Sequence, residues 1–126
     1  MLASRPVIAA VFCLWVGWAQ ALDIQPYSAA ALAQAQAEDR PVAVHFHASW
    51  CPTCRAQEKS LHGLKGETGL DMAVLVADYD TETALKQALG IRSQATLVVW
   101  RGKTERARLV GQTSPEALRA ALKRAF

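Results

Sequence analysis

Two adjoining segments decide the fold, Val42-Ala43-Val44-His45-Phe46-His47-Ala48 and then Ser49-Trp50-Cys51-Pro52-Thr53-Cys54-Arg55. The first is short, apolar and rich in β-branched residues, which predicts a buried strand. Good helix formers follow in residues 55–61, and proline is favoured in a first helical turn because its missing N–H has no partner there. The two cysteines therefore lie where a strand passes into a helix.

Cys51 and Cys54 are spaced C-x-x-C at this junction. Free N–H groups and the positive dipole end at a helix start favour an anion, so we expect the Cys51 thiolate to be stabilised and Cys54 to be more shielded. A structural zinc site would have to recruit His45, His47 or His62 as further ligands. A purely structural disulfide around so short a loop constrains the unfolded chain little. The spacing favours a redox-active pair.

The first residues have the pattern of an export signal. Arg5 is followed by an uncharged, largely apolar core at 7–18, and Ala19-Gln20-Ala21 matches the small-x-small cleavage pattern. The alternative is an uncleaved anchor, but about 20 apolar residues are needed to span a bilayer. We therefore predict a signal peptide at 1–21, which carries Cys13 away, and a single domain at 22–126.

Charge and cysteine content narrow the function classes. Loss of Arg5 with the signal peptide lowers the formal net charge from +3 to +2, which favours neither nucleic acid nor a membrane surface as partner. Two cysteines remain, in a protein predicted to enter an oxidising compartment. One C-x-x-C in an exported domain indicates redox chemistry rather than a disulfide that stabilises the fold.

The rest of the chain predicts an α/β domain with helices on both faces of a sheet. Besides the strand and helix around the cysteines, the predicted elements are an edge strand at 22–27, a helix capped by Ser28, a strand at 73–77, a helix capped by Thr81 and ended by Gly90, a strand at 95–100, a hairpin partner at 104–110 and a last helix opened by Ser114-Pro115.

Several separated motifs together resemble thioredoxin over nearly all of 22–126. They are Phe46 and Ala48 before Trp50-Cys51-Pro52-Thr53-Cys54, Asp80 ten positions before Gly90-Ile91-Arg92, Thr96-Leu97, Gly102 and Gly111. The resemblance implies a thioredoxin-like fold with a central mixed sheet of four to five strands flanked by helices. The cysteine loop resembles that of exported thioredoxin-like reductases serving cytochrome c maturation. The compact frame is similar to thioredoxin itself or to the soluble end domain of transmembrane thiol reductases, and the choice between these branches stays open.

The activity that the resemblance implies is thiol–disulfide exchange without cofactor or metal. Cys51 would attack a partner disulfide and Cys54 would resolve the mixed disulfide, with Trp50, Pro52 and Thr53 in support. The partners expected are protein disulfides or dithiols and not nucleic acid. The protein is expected to work as a monomer in the periplasm, recharged by a membrane-embedded thiol donor.

Two positions depart from the family pattern. His45 stands where the family usually buries an acid, six positions before the first cysteine, and we expect its imidazole to accept the Cys54 proton. Ala95 stands where the family has a cis-proline, in a loop, Gln94-Ala95-Thr96, that the resemblance places opposite the dithiol. We expect a trans Gln94–Ala95 bond, because a cis bond before alanine costs about 2.5–4 kcal/mol, and a narrower substrate range.

The direction of electron flow is predicted from the residues between the cysteines. Neither Pro52 nor Thr53 is cationic, so nothing there stabilises the thiolate as histidine does in the strong oxidants of the family. This favours a reductant. The alternatives are a disulfide oxidase or isomerase and, in a different class, a metal-binding protein or metallochaperone using the cysteines with His45 and His47. Those two histidines are predicted to share one strand face.

Overall fold

The computed structural model describes residues 21–126, so the predicted signal peptide lies almost wholly outside the described residues, and its cleavage stays a prediction. Residues 21–126 form five strands and four helices. In chain order they are β1 (Asp23–Pro26), α1 (Ala29–Ala37), β2 (Pro41–His47), α2 (Pro52–Gly63), β3 (Ala73–Asp78), α3 (Thr83–Leu89), β4 (Thr96–Arg101), β5 (Thr104–Val110) and α4 (Pro115–Lys123).

The strands form one mixed sheet in the order β1-β3-β2-β4-β5. β3 pairs in parallel with β1 and β2, β4 is antiparallel to β2, and β5 is antiparallel to β4. The central strand, β2, delivers the chain to the cysteines at its carboxyl end. This arrangement confirms the predicted α/β class and the mixed sheet.

The two faces of the sheet carry separate apolar cores because successive side chains of a strand point to opposite sides. Ala43 of β2 packs with Leu61 of α2 and Leu118 of α4, whereas Val44 and Phe46 pack in the cluster that contains Leu32 of α1. His45 therefore lies on the face covered by α2 and α4, beneath the helix that carries the dithiol. Burial on both faces explains why β2 reads as a continuous apolar run.

Helix starts follow the predicted caps with one exception. The Oγ atoms of Ser28 and Ser114 accept hydrogen bonds from backbone N–H groups three residues on, as expected for N-caps. The cap predicted at Thr81 is wrong, because α3 begins one residue later, with Glu82 as an N-cap that makes no side-chain hydrogen bond. The backbone N–H of Glu82 bonds to the Asp78 carbonyl at 3.0 Å, so a turn occupies the segment where the helix was expected to start.

Candidate active site

The dithiol occupies the first turn of α2. Cys51 is the N-cap and Pro52 the first helical residue, and the Cys51 Sγ accepts a hydrogen bond of 3.1 Å from the backbone N–H of Cys54. Both cysteines are free thiols with buried side chains. The sulfur of Cys51 thus takes the place that a serine or aspartate oxygen takes in an ordinary cap, and the helix start offers its N–H to an anion there.

Cys54 lies one turn inside, and its surroundings hold it as a thiol. The pKa of Cys54 is raised to about 11, first by burial and then by its hydrogen bond with Cys51 and the Cys51 charge. Backbone hydrogen bonds from Ala48 and Ala95 act in the opposite direction. Burial outweighs these opposing influences, so the Cys54 thiol keeps its proton at neutral pH.

Trp50 flanks the dithiol on the solvent side. Its side chain is 56% exposed, although its indole Nε1 donates a hydrogen bond of 2.8 Å to Asp80 Oδ2 in the segment after β3. Pro52 is exposed and Thr53 half-buried. These three predicted supporting residues are therefore next to the cysteines in the chain, with Trp50 and Pro52 exposed to solvent.

The predicted substrate-facing loop packs against the dithiol. Ala95 is buried in one small apolar cluster with Ala48, Cys51 and Cys54. The residues described contain no cis peptide bond, which confirms the predicted trans Gln94–Ala95 bond. Ala95 has a φ of +59°, in the left-handed region, and this explains why β4 begins at Thr96 and not at the predicted Ala95.

This loop is held by backbone hydrogen bonds to Phe46 and Gly111 and by side-chain hydrogen bonds from Thr96 and Gln57. The Ala95 N–H donates to the Phe46 carbonyl at 2.9 Å, and the Ala95 carbonyl accepts from the Gly111 N–H at 2.9 Å. The hydroxyl of buried Thr96 donates to the Ser93 carbonyl at 2.8 Å. Gln94 is half-buried. A proline at 95 would lack the N–H that reaches Phe46.

His45 is buried below α2, with 1% of its surface exposed. Its Nε2 lies 2.8 Å from Gln57 Oε1, and its Nδ1 has no hydrogen-bond partner. The pKa of His45 falls to about 4, mainly through burial and further through the neighbouring His47, against the opposing effects of Gln57 and Glu58. His45 is therefore neutral at physiological pH.

A family model described as thioredoxin matches residues 24–124. The chain belongs to the thioredoxin family. A type-H thioredoxin from Chlamydomonas reinhardtii is 30% identical over 91 residues, which make up 72% of this chain and 80% of that protein. A thioredoxin from Alicyclobacillus acidocaldarius is 30% identical over 71% of this chain and 85% of its own length.

Solved structures agree with this assignment. Trxlp from Edwardsiella tarda is 40% identical and matches with a TM-score of 0.75, over 79% of this chain and 98% of that one. The thioredoxin-like fold is thus confirmed, and the chain is a thioredoxin-family thiol–disulfide oxidoreductase in which Cys51 and Cys54 form the C-x-x-C pair.

Gln57 is a site residue of this thioredoxin-family chain that the sequence analysis did not identify. It is fully buried on α2 together with Cys54 and Leu61. Its amide Nε2 donates hydrogen bonds of 2.9 Å to the carbonyls of Ala95 and Gln112. The signal that was available is a glutamine in the apolar stripe of a helix, because a buried amide requires partners.

The two histidines predicted to share a strand face do so, with ring centroids 5.6 Å apart. His47 Nε2 lies 3.2 Å from the exposed Glu58 carboxylate without making a hydrogen bond, and His62 is an exposed residue of α2. Within 21–126, no three or more His, Cys, Asp or Glu side chains are grouped so as to hold a metal ion. In the same part of the chain, no helix has the length and apolar character needed to cross a membrane.

Proposed function

We propose that this protein is an exported reductant of protein disulfides. The observation that carries the proposal is the cap geometry of the dithiol. The Cys51 Sγ accepts a hydrogen bond of 3.1 Å from the backbone N–H of Cys54 in the first turn of α2. The two residues between the cysteines, Pro52 and Thr53, add no positive charge. A dithiol stabilised by backbone groups alone lacks the cation that would favour its reduced state and make it a strong oxidant.

The reaction has two exchange steps. The Cys51 thiolate attacks one sulfur of the partner disulfide, so that a Cys51–partner disulfide forms and the second partner sulfur leaves as a thiolate. Cys54 then loses its proton, for which the neutral imidazole of His45 stays the predicted acceptor before the proton passes to water, and attacks the Cys51 Sγ. The mixed disulfide breaks, the partner leaves as a dithiol after taking up protons from water, and Cys51–Cys54 becomes a disulfide. Two electrons pass to the partner.

The surroundings of Cys54 explain why it reacts after Cys51 and not before. Two of the influences that raise its pKa to about 11 are the hydrogen bond with Cys51 and the charge of Cys51. Both depend on a free Cys51 sulfur and disappear when that sulfur joins a mixed disulfide. The N–H groups of Ala48 and Ala95, which favour the thiolate, remain. Cys54 therefore becomes easier to ionise once it is needed for resolution.

Export and recharging complete the proposal. The basic residue, apolar core and cleavage pattern in 1–21 support secretion to the periplasm with removal of this segment. We expect the processed protein to be a monomer. A reductant outside the cytoplasm requires an electron source, for which a membrane-embedded dithiol protein is the natural class. Expression of the full chain should yield a product whose N-terminus is Leu22 and which elutes as a monomer; an unprocessed N-terminus would contradict export by a cleaved signal.

Catalytic turnover with a protein disulfide tests whether this protein is a reductant. The purified protein should catalyse reduction of insulin disulfides by dithiothreitol, and Cys51→Ser should abolish catalysis. An oxidase would instead convert a reduced model peptide to its disulfide faster than it reduces insulin. A metallochaperone would hold stoichiometric Cu(I) or Zn(II) without turnover. Either of these results would overturn the proposed function.

A further inference from the structure

The side chain of Gln57 connects the helix of the dithiol to two loops. Its Nε2 donates hydrogen bonds of 2.9 Å to the Ala95 carbonyl, before β4, and to the Gln112 carbonyl, before α4. Its Oε1 lies 2.8 Å from Nε2 of His45 on β2. Gln57 is fully buried, and a buried amide whose N–H groups and oxygen all have partners keeps one orientation, because rotation would leave polar groups unpaired.

His45 supports the same orientation from the sheet. Carbonyl oxygens only accept hydrogen bonds, so Ala95 and Gln112 require the amide nitrogen of Gln57. The amide oxygen is left for His45, whose neutral ring donates its Nε2 proton to it. One arrangement of the amide therefore satisfies all three partners.

The loop at Ala95 depends on contacts of this kind. A φ of +59° is disfavoured for a residue with a Cβ, because that atom crowds the following carbonyl oxygen. Alanine also lacks the ring with which proline restricts φ. The conformation therefore persists only because its surroundings impose it. Gln57 provides a side-chain hydrogen bond to the Ala95 carbonyl, which also accepts the Gly111 N–H at 2.9 Å.

The Ala95 loop borders the dithiol. Ala95 packs with Cys51 and Cys54 in one apolar cluster. The next residue, Thr96, pairs with Val110 across β4 and β5, and the Val110 side chain is 57% exposed. A protein disulfide has to bring one sulfur into contact with the Cys51 sulfur to exchange with it, so the residues around that disulfide meet this loop. The position of the loop therefore affects which partner surfaces fit.

We propose that Gln57 is a positioning residue for substrate binding, which holds the Ala95 and Gln112 loops in the arrangement that a partner protein must fit. The inference rests on the proposed function and deepens it, because it names a residue that determines the substrate range. A small disulfide exchanges with Cys51 without covering the loops. Gln57 thus affects the binding of protein disulfides and not the attack on small ones.

The experiment compares a protein disulfide with a small one. Gln57→Leu should raise KM for insulin about fivefold, because loss of a neutral hydrogen bond shifts an equilibrium about two- to tenfold. The rate at which the reduced protein attacks Ellman's reagent, a small disulfide, should change by less than about twofold, since this reagent makes no remote contacts. A slower resolving step would lower KM together with kcat, so a raised KM separates the effect of the loops from any effect through His45. An unchanged KM for insulin would overturn the proposal.

Ser60→Ala is the matched control. Ser60 also lies on α2 and donates to the Thr113 carbonyl at 2.6 Å, so it ties the helix to the segment before α4 through a bond that does not involve Ala95. This variant should be less stable than the unaltered protein and keep its KM for insulin. A KM raised equally in both variants would show a general loosening of α2 and overturn the role assigned to Gln57.

Backbone amide exchange gives a second measurement on the same variants. The N–H groups of Ala95 and Gly111 donate to the carbonyls of Phe46 and Ala95, each at 2.9 Å. Both should exchange with solvent at least about fivefold faster in Gln57→Leu than in the unaltered protein and in Ser60→Ala. Equal exchange in all three proteins would overturn the proposal, because the loop would then keep its conformation without Gln57.

Gln57→Met covers the case in which Gln57→Leu does not fold, because methionine keeps an unbranched side chain and lacks the same hydrogen bonds. Failure of the proposed function would give a different result. An unaltered protein inactive on insulin would contradict the reductant, whereas the exchange of the Ala95 and Gly111 amides would still report on Gln57.

Discussion

At the scale of single residues, the backbone conformation of Ala95 limits which residues can occupy this position. Its backbone has a φ of +59°, and its N–H bonds to Phe46 at 2.9 Å. Proline requires a φ near −65° and has no N–H, so it matches neither feature. Glycine accepts the left-handed region without strain. Alanine is thus tolerated, rather than favoured, in this backbone conformation.

We therefore expect opposite effects from two substitutions at position 95. Ala95→Gly should raise the free energy of unfolding by about 0.5–1 kcal/mol, the relief of Cβ strain being partly offset by glycine's greater freedom in the unfolded chain. Ala95→Pro should lower it by more than about 1 kcal/mol. Urea unfolding of both variants measures this, and a proline variant as stable as the unaltered protein would show that the loop readily adopts another conformation.

His45 makes stability depend on pH. Its pKa in the folded protein is about 4, against an ordinary value of 6.5, mainly because burial disfavours the imidazolium. Between these values the unfolded chain binds the proton and the folded chain does not, so stability is lost as the pH falls from about 6.5 toward about 4. The full difference corresponds to about 3 kcal/mol.

The measurement compares unfolding free energies at pH 7 and pH 4. The unaltered protein should lose about 3 kcal/mol more over this range than His45→Leu, in which the titrating group is absent while the carboxylates remain. His62→Gln, which removes an exposed histidine of α2, is the control and should follow the unaltered protein. Parallel curves for His45→Leu and the unaltered protein would contradict the assigned burial.

At the scale of elements, the start of α2 assigns different roles to the two cysteines. Cys51 is the N-cap, whereas Cys54 lies in the first turn beneath it with a pKa of about 11. Only Cys51 combines the helix start with a position next to exposed Trp50. Cys54→Ser should therefore accumulate mixed disulfides with partner proteins through Cys51, detected on non-reducing gels. Trapping by Cys51→Ser instead would reverse the assignment.

At the scale of the whole molecule, the fold packs the dithiol between α2 and the Ala95 loop, and no cationic residue stands between the two cysteines. α2 is anchored by Leu61 in the core that it shares with α4, and the dithiol end of the helix packs on the Ala95 loop. The residues Pro52 and Thr53 add no cation. We expect a reduction potential nearer to about −270 mV than to about −120 mV. Equilibration with glutathione measures it, and a value above about −160 mV would favour an oxidase over a reductant.

The sequence alone was sufficient for the order of elements, the dithiol at a strand–helix junction and the trans bond before Ala95. Each depends on neighbours along the chain: the apolar run that becomes β2, the proline that opens α2, and the absence of proline at 95. The start of α3 was predicted wrongly because the cap at Thr81 was also inferred from neighbouring residues. In the structure, the Glu82 N–H bonds to the Asp78 carbonyl and a turn forms there instead.

Only the tertiary structure decided the roles beneath the dithiol. Gln57 acquires its partners from Ala95, 38 positions away, from Gln112, 55 positions away, and from His45 on another element. The pKa of His45 falls to about 4 because α2 and the sheet exclude water from it, a condition that no local pattern expresses. Spacing along the chain determines which groups can react. Burial and contacts between distant segments determine their protonation and orientation, because both depend on what water is excluded and which partners replace it.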